Sequence, residues 1–308
     1  MTAGVLDVAR PRAAVARRRR PVNRTAWVFV APATLGFLVF ILLPLLLTIV
    51  YSFTEYDLFD SPRFVGLENY TAMLSDSRLA HVYLNTAVFT LLATPLNVGL
   101  ALVLAVGLHQ VLNRFVSAFA RAAFFFPSLV GLVFVAIIWQ FFFQTDFGII
   151  NYYLGLVGVD PVPWLSSPEW AIPSVVILDV WKNVGLATII LLAGLQGIPA
   201  VYYQAAAIDG AGGWRRFRSI TVPLLSPQLF FVLTLYLIGA VKVFESIVVL
   251  TDGGPGDASR SVVMYIYEKA FKSFDFGYAS AVSVTLLVIV SLVTLVQFRV
   301  SRRWVHYE

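Results

Sequence analysis

The sequence predicts an all-α membrane protein that crosses the bilayer six times and keeps both termini in the cytoplasm. Three observations carry this. Only 13% of the residues are charged and the mean hydropathy is +0.82, whereas soluble domains carry roughly 25% charged residues. The apolar residues fall into six long runs, each about as long as the roughly twenty residues a helix needs to span a bilayer. The basic residues collect in alternate segments between those runs, which is the pattern that sets membrane topology.

The elements follow in order. Residues 1–25 read as a basic cytoplasmic tail with seven arginines: Arg10, Arg12, Arg17, Arg18, Arg19, Arg20 and Arg24. The Arg17–Arg20 run suits contact with anionic lipid, and the residues before it are expected to be disordered. The six-helix domain occupies 26–298. Its first span, 26–53, holds no charge, and Pro32 and Pro44 are expected to kink it. The run is too long for a cleaved signal peptide, and no small-x-small cleavage site directly precedes Tyr51-Ser52-Phe53 at its end. Spans 82–108 and 122–145 are also uncharged. Span 170–197 is interrupted only by Asp179 and Lys182, and span 228–250 only by Lys242 and Glu245. Span 276–298 has no charge, and 299–308 is a short cytoplasmic tail.

Orientation follows from counting. The N-terminal tail, 109–121, 198–227 and 299–308 together hold fifteen Lys/Arg. The intervening segments 54–81, 145–169 and 251–275 hold five, against twelve Asp/Glu. The basic set is therefore assigned to the cytoplasm and the acidic set to the outside.

Several chemistries are excluded or disfavoured. There are no cysteines, which removes disulfides, zinc–thiolate sites, iron–sulfur clusters and cysteine nucleophiles. His81, His109 and His306 are far apart, so a histidine metal centre is not expected. The net charge of +5 sits at span flanks, where it sets topology, and does not call for nucleic acid. No G-x-x-x-x-G-K-[ST] loop is present, so this chain is not expected to hydrolyse ATP.

The segment 198–227 breaks the economy of tight loops. Tyr202 to Asp209 reads as a short helix rich in alanine, small enough for another surface to approach closely. Gly210 suits a helix stop that needs positive φ. A second short helix is expected over 214–220, and Pro223 and Pro227 mark the return to the membrane. Physics alone leaves two readings: a docking elbow, or a connector between spans.

The run Gln204-Ala205-Ala206, Asp209-Gly210-Ala211, Phe217, Ile220, Pro223 and Pro227 resembles the cytoplasmic "EAA" loop of the membrane subunits of binding-protein-dependent ABC importers. Gln204 stands where that family usually has Glu, so the charge at that contact is lost. The resemblance extends along the chain. Phe64-Val65-Gly66-Leu67-Glu68-Asn69-Tyr70, Asn85-Thr86, Arg121 with Phe126-Pro127, Leu250-Thr251-Asp252-Gly253-Gly254-Pro255-Gly256, Tyr265-Ile266-Tyr267 with Phe271, and Gly277-Tyr278-Ala279-Ser280-Ala281 are similar to the carbohydrate-uptake branch, of the maltose and glycerol-phosphate type.

The resemblance implies an ABC type I importer permease fold in a bacterial or archaeal cytoplasmic (inner) membrane. It implies a second homologous permease, an ATPase dimer that carries the ATP and Mg, and an extracytoplasmic solute-binding protein. No cofactor is expected on this chain itself. Gln204, Ala205, Ala206, Asp209, Gly210 and Ala211 would couple to the ATPase, with Asp209 and Gly210 fixing the elbow. The solute would be an oligosaccharide, polyol or glycerol-phosphate derivative.

Asp179 and Lys182 stand three residues apart on one span, and Lys242 and Glu245 three apart on the next, a spacing that puts each pair on one helix face. Intramembrane charges usually face a bundle interior or a wet cavity. With Trp181 and Asn183 they form the candidate solute path or its support. The plainer reading makes them self-neutralising structural pairs, with long side chains snorkelling near the span ends. Two other classes compete. A stand-alone secondary transporter or channel would show two related halves and no elbow. An intramembrane enzyme would use Asp179 or Glu245 as acid–base groups, yet each has a basic neighbour within helical reach.

Overall fold

A computed structural model describes residues 24–110 and 114–305. Residues 1–23 of the expected 1–25 tail, and His306, lie outside the described residues. The chain divides into two units, 1–47 and 48–308.

The first apolar run begins with α1 (Arg24–Phe37), widens into a π turn over Leu38–Leu42, and continues as α2 (Leu43–Tyr51). The Leu43 N–H reaches back to the Leu38 carbonyl. Pro44 has no N–H to offer the turn before it, and a wide turn at this point is the kind of break proline imposes.

In the second unit a two-residue ladder joins β1 (Thr54–Glu55) to β2 (Arg63–Phe64), antiparallel, with Thr54 opposite Phe64. Its strands are the one departure from helix among the described elements. The helices α3 (Glu68–Ser75), α4 (Ser77–Gln110), α5 (Arg114–Leu129), α6 (Leu132–Phe142), α7 (Ile149–Leu156) and α8 (Pro168–Gln196) follow. Next come α9 (Ala200–Ile208), α10 (Gly213–Arg216), a π turn (Phe217–Thr221), α11 (Val222–Leu224), α12 (Ser226–Val241) and α13 (Glu245–Leu250). The chain ends with α14 (Val262–Tyr267), a π turn (Glu268–Lys272) and α15 (Phe276–Ser301).

Among the described residues, four helices are long and apolar enough to cross a membrane: Val28–Tyr51, Ser77–Gln110, Pro168–Gln196 and Phe276–Ser301. Two bent helix pairs pass the same test of length and composition when each pair is taken together, and here the expectation of one continuous span in each run needs correction. The third run, expected as one helix over 122–145, turns through 100° between Leu129 and Leu132. Pro127 lacks an N–H, and Gly131 starts α6 in an extended conformation, so the hydrogen-bond ladder breaks there. The fifth run, expected over 228–250, ends its helix at Val241 and resumes at Glu245. Its approach, Gly213–Leu224, meets Ser226–Val241 at 68°.

Helix α8 is the centre of the second unit, packed by α4, α5, α12 and α13. One stripe of α4 explains the closest of these contacts. Ala93, Asn97, Ala101 and Ala105 recur every four residues and are all buried, letting two backbones approach as small residues do in membrane helix pairs. Gly185 does the same for α5: a Cβ there would collide with the backbone carbonyl of Phe124. Three apolar cores result, one around Trp139, Phe143, Trp164 and Leu178, one around Ala101, Leu191 and Val232, and one around Val82, Tyr265 and Val282.

Candidate functional site

The elbow is built by its own backbone. Helix α9 ends with Asp209 as cap, and Gly210 takes φ +72°. The Gly210 N–H donates to the Ala207 carbonyl at 3.1 Å, and the Ala211 N–H to the Ala206 carbonyl at 2.8 Å. These two bonds form the Schellman stop, which needs a left-handed residue where glycine stands. Gly212 then opens α10, and the turn comes back through Trp214 stacked on Phe217 at 5.5 Å. The Tyr203 and Thr221 hydroxyls bond at 3.1 Å and tie the two arms together. Gln204, Ala205, Asp209 and Gly210 are exposed, Ala206 and Ala211 half-buried. Two apolar side chains stand out from the same elbow: Ile208 is 87% exposed and Trp214 74%.

The charges on α8 are arranged differently from the expected self-neutralising pair. Asp179 accepts from the Asn97 amide at 3.1 Å and from the Asn183 amide at 2.9 Å. Lys182 makes no ion pair with Asp179 among the described residues. Its ammonium donates instead to the Val130 carbonyl at 2.9 Å and the Ser128 carbonyl at 3.4 Å. These belong to the break between α5 and α6, so a cation supplies hydrogen bonds that the interrupted helix cannot. The Asn183 carbonyl accepts from the Tyr236 hydroxyl at 2.7 Å, which ties α8 to α12. The Asn97 Oδ1 is shielded from solvent and has no partner among the described residues.

Lys242 and Glu245 do not share a helix face. They stand on either side of the α12–α13 break, both exposed, and no ion pair joins them among the described residues. Of the six candidate path residues only Trp181 lines the large cavity of about 910 Å³ between α4, α5 and α8. Its ring meets Trp139 edge-on at 5.5 Å. Asp179, Lys182 and Asn183 do not line it. Sequence reasoning missed Asn97 and Tyr236. Asn97 was detectable as the one polar member of the Ala93–Ala105 stripe; nothing local marks Tyr236.

The other motifs meet at the opposite end of this unit. The Asn69 amide donates to the Ser52 and Thr54 carbonyls, and the Tyr70 hydroxyl to Ser52 Oγ at 2.8 Å. The Asn85 amide donates to the Asp257 carbonyl at 2.8 Å, and the Val262 N–H to Thr86 Oγ1 at 3.0 Å. Gly277 lies so close to the Thr54 carbonyl that a Cβ would collide with it. Asp257 accepts from Arg78 at 2.6 and 3.1 Å and also from Arg260. The Arg78 hydrogen bonds, helped by Arg260 and against the cost of burial, hold the Asp257 carboxyl down at about 2. Asp76 accepts from the Tyr265 and Tyr278 hydroxyls at 2.5 and 2.7 Å. Burial raises its pKa, but those two bonds together with the Leu79 N–H and the Lys269 charge outweigh it, and the carboxyl ends below its usual range. This polar lattice fastens α3 and α4 to the 251–275 segment and α15.

Residues 97–306 match the family described as binding-protein-dependent transport system inner membrane component. The chain is 36% identical over 280 residues to the trehalose/maltose transport system permease protein MalF of Thermococcus litoralis, covering 91% of this chain and 94% of the relative. It is 33% identical over 281 residues to the sulfoquinovosyl glycerol transport system permease protein SmoG of Agrobacterium fabrum, covering 90% of each. A probable ABC transporter permease protein of Bacillus subtilis, YesP, is 38% identical over 297 residues, covering 95% of each chain. In fold the chain is similar to a bacterial alginate ABC transporter solved in complex with its alginate pentasaccharide-bound periplasmic protein. The TM-score is 0.81 at 22% identity, over 91% of this chain and 94% of that one.

Proposed function

The chain belongs to the family of binding-protein-dependent transport system inner membrane components, and from that premise we propose that it is a permease subunit of an ATP-driven importer for a sugar or sugar-like solute. Relatives named for trehalose/maltose, sulfoquinovosyl glycerol and arabinooligosaccharides support the solute class. Oligosaccharides, polyols and glycerol-phosphate derivatives all fall within it.

The observation that carries the mechanism is the elbow, a backbone-locked stop that holds Ile208 and Trp214 out into solvent. Fully burying one such side chain against a partner is worth about 1.5–3 kcal/mol. In this reading the segment carrying Gln204, Ala205, Ala206, Asp209, Gly210 and Ala211 seats in an ATPase subunit. That ATPase, present as a dimer, binds the ATP and Mg, while this chain does no chemistry. Closure of the ATPases moves this permease and a second, homologous one as opposed bodies, and the solute passes between them. Gln204 leaves the contact uncharged, so it relies on packing. An extracytoplasmic binding protein delivers the solute, both termini lie in the cytoplasm, and the membrane is the cytoplasmic membrane of a bacterium or archaeon.

The test is affinity purification of the chain from its native membrane, followed by mass spectrometry. Recovery of a P-loop ATPase, a second permease and a solute-binding protein is expected. Recovery of the chain alone or as a homo-oligomer would overturn the assignment and favour a transporter not driven by ATP.

A further inference from the structure

Behind the elbow lies a cavity of about 330 Å³ that the coupling role does not use. Its polar lining comes from Tyr203 on α9, Gly213 and Arg216 on α10, and His109 and Gln110 at the end of α4, with Val106, Leu195 and Phe217 as its apolar part. Thr221 closes the back through its bond to Tyr203. Among the described lining residues there is no carboxylate. Arg216 is half-buried, and its Nε–H is shielded from solvent with no acceptor among the described residues. Its neighbours Arg215 and Arg218 are exposed to solvent and do not line the cavity.

A guanidinium N–H hidden from water without an acceptor is costly, and such a group calls for a specific explanation. The other polar groups of the lining are two hydroxyls bonded to each other, an amide and an imidazole, and donors are among them. A guanidinium with convergent donors and no competing carboxylate is chemistry that recognises a planar or tetrahedral oxyanion. We infer that this cavity is a binding site for a phosphate-type oxyanion, held by Arg216 with donors from both arms of the elbow and from the end of α4. Because the ligand would touch all three, its binding braces the elbow against α4. The oxyanion is either a free phosphate group or the headgroup of an anionic lipid, and both present the same oxygens.

The experiment uses the full-length chain in phosphatidylcholine nanodiscs, with its thermal unfolding midpoint followed against sodium phosphate. Sodium chloride at matched ionic strength is the reference. A free oxyanion gives a saturable rise with phosphate. Its apparent affinity falls about tenfold or more in Arg216→Gln and persists in Arg215→Gln. A lipid headgroup gives no response to phosphate but a higher midpoint in phosphatidylglycerol nanodiscs. Native mass spectrometry then finds phosphatidylglycerol retained by the wild type and lost from Arg216→Gln. Should Arg216→Gln fail to fold, His109→Ala with Gln110→Ala on the facing wall makes the same comparison. A wild-type chain that responds to neither ligand overturns the site, as does a response equally weakened in Arg216→Gln and Arg215→Gln.

Discussion

The Lys182 ammonium donates to the Val130 carbonyl at 2.9 Å, from the middle of α8 to the point where the third apolar run turns through 100°. One side chain thus supplies what a broken helix lacks, and it does so beside the wall of the largest cavity described.

Replacing Lys182 by Met keeps the length of the side chain and removes its donors. Each hydrogen bond to a charged group is worth about 1.5–3 kcal/mol, so Lys182→Met is expected to lower the unfolding midpoint of the purified chain. Transport should fall with it. An unchanged midpoint with reduced transport would mean that Lys182 serves the solute directly and does not hold the bend.

Gly210→Val should uncouple ATP hydrolysis from uptake while membrane insertion stays intact. A Cβ at this position meets nothing within 4 Å, so the penalty comes from backbone conformation alone. A left-handed β-branched residue costs about 1–2 kcal/mol. Gly210→Asn, which tolerates that conformation, should retain most coupling. Equal ratios of ATP hydrolysed to solute taken up in both variants would argue against the elbow as the link.

Gly185→Ala adds one methyl against the Phe124 carbonyl, a backbone atom that cannot swing aside. Overpacking of this kind typically costs about 1–3 kcal/mol, and here it pushes α5 away from α8. The expected result is a lower yield of folded chain in detergent and a lower unfolding midpoint. Gly99→Ala, with open space around its Cβ, is the control that should change neither.

Acid should loosen the lattice around Asp257. Its carboxyl is held at about 2 in the fold against an ordinary 3.8. A depressed carboxylate contributes stability that is fully present above the ordinary value and is lost as pH falls from there through the folded value. Unfolding midpoints measured from neutral pH down to about 2 should drop within that window, and Asp76 adds in the same direction. Asp257→Asn should flatten the drop. The site is open enough to solvent for salt to weaken the effect.

Much of this molecule is legible in one dimension. The apolar runs, the elbow with its Gly210 stop, and the prolines at Pro223 and Pro227 are local signals, because helix propensity, capping and hydropathy depend on neighbouring residues. The elbow, its stop and its prolines appear in the fold close to where the residues put them, and so do the apolar runs, apart from the breaks in the third and fifth. The motifs Asn69-Tyr70, Asn85-Thr86 and Gly277-Tyr278 were legible as a resemblance, but their physical task was not. They fasten one end of the second unit together through partners far along the chain.

The sequence by itself determined that the chain is a membrane protein of apolar helices carrying one polar elbow, since composition and periodicity already state it. Only the tertiary structure decided what the half-buried charges of α8 do. Asp179 takes Asn97, 82 residues away, and Lys182 takes the Val130 carbonyl, 52 residues away. Spacing along one helix shows which side chains share a face. It carries no information on which polar group a second helix brings to that face, and in a low-dielectric interior that nearest group decides the partner.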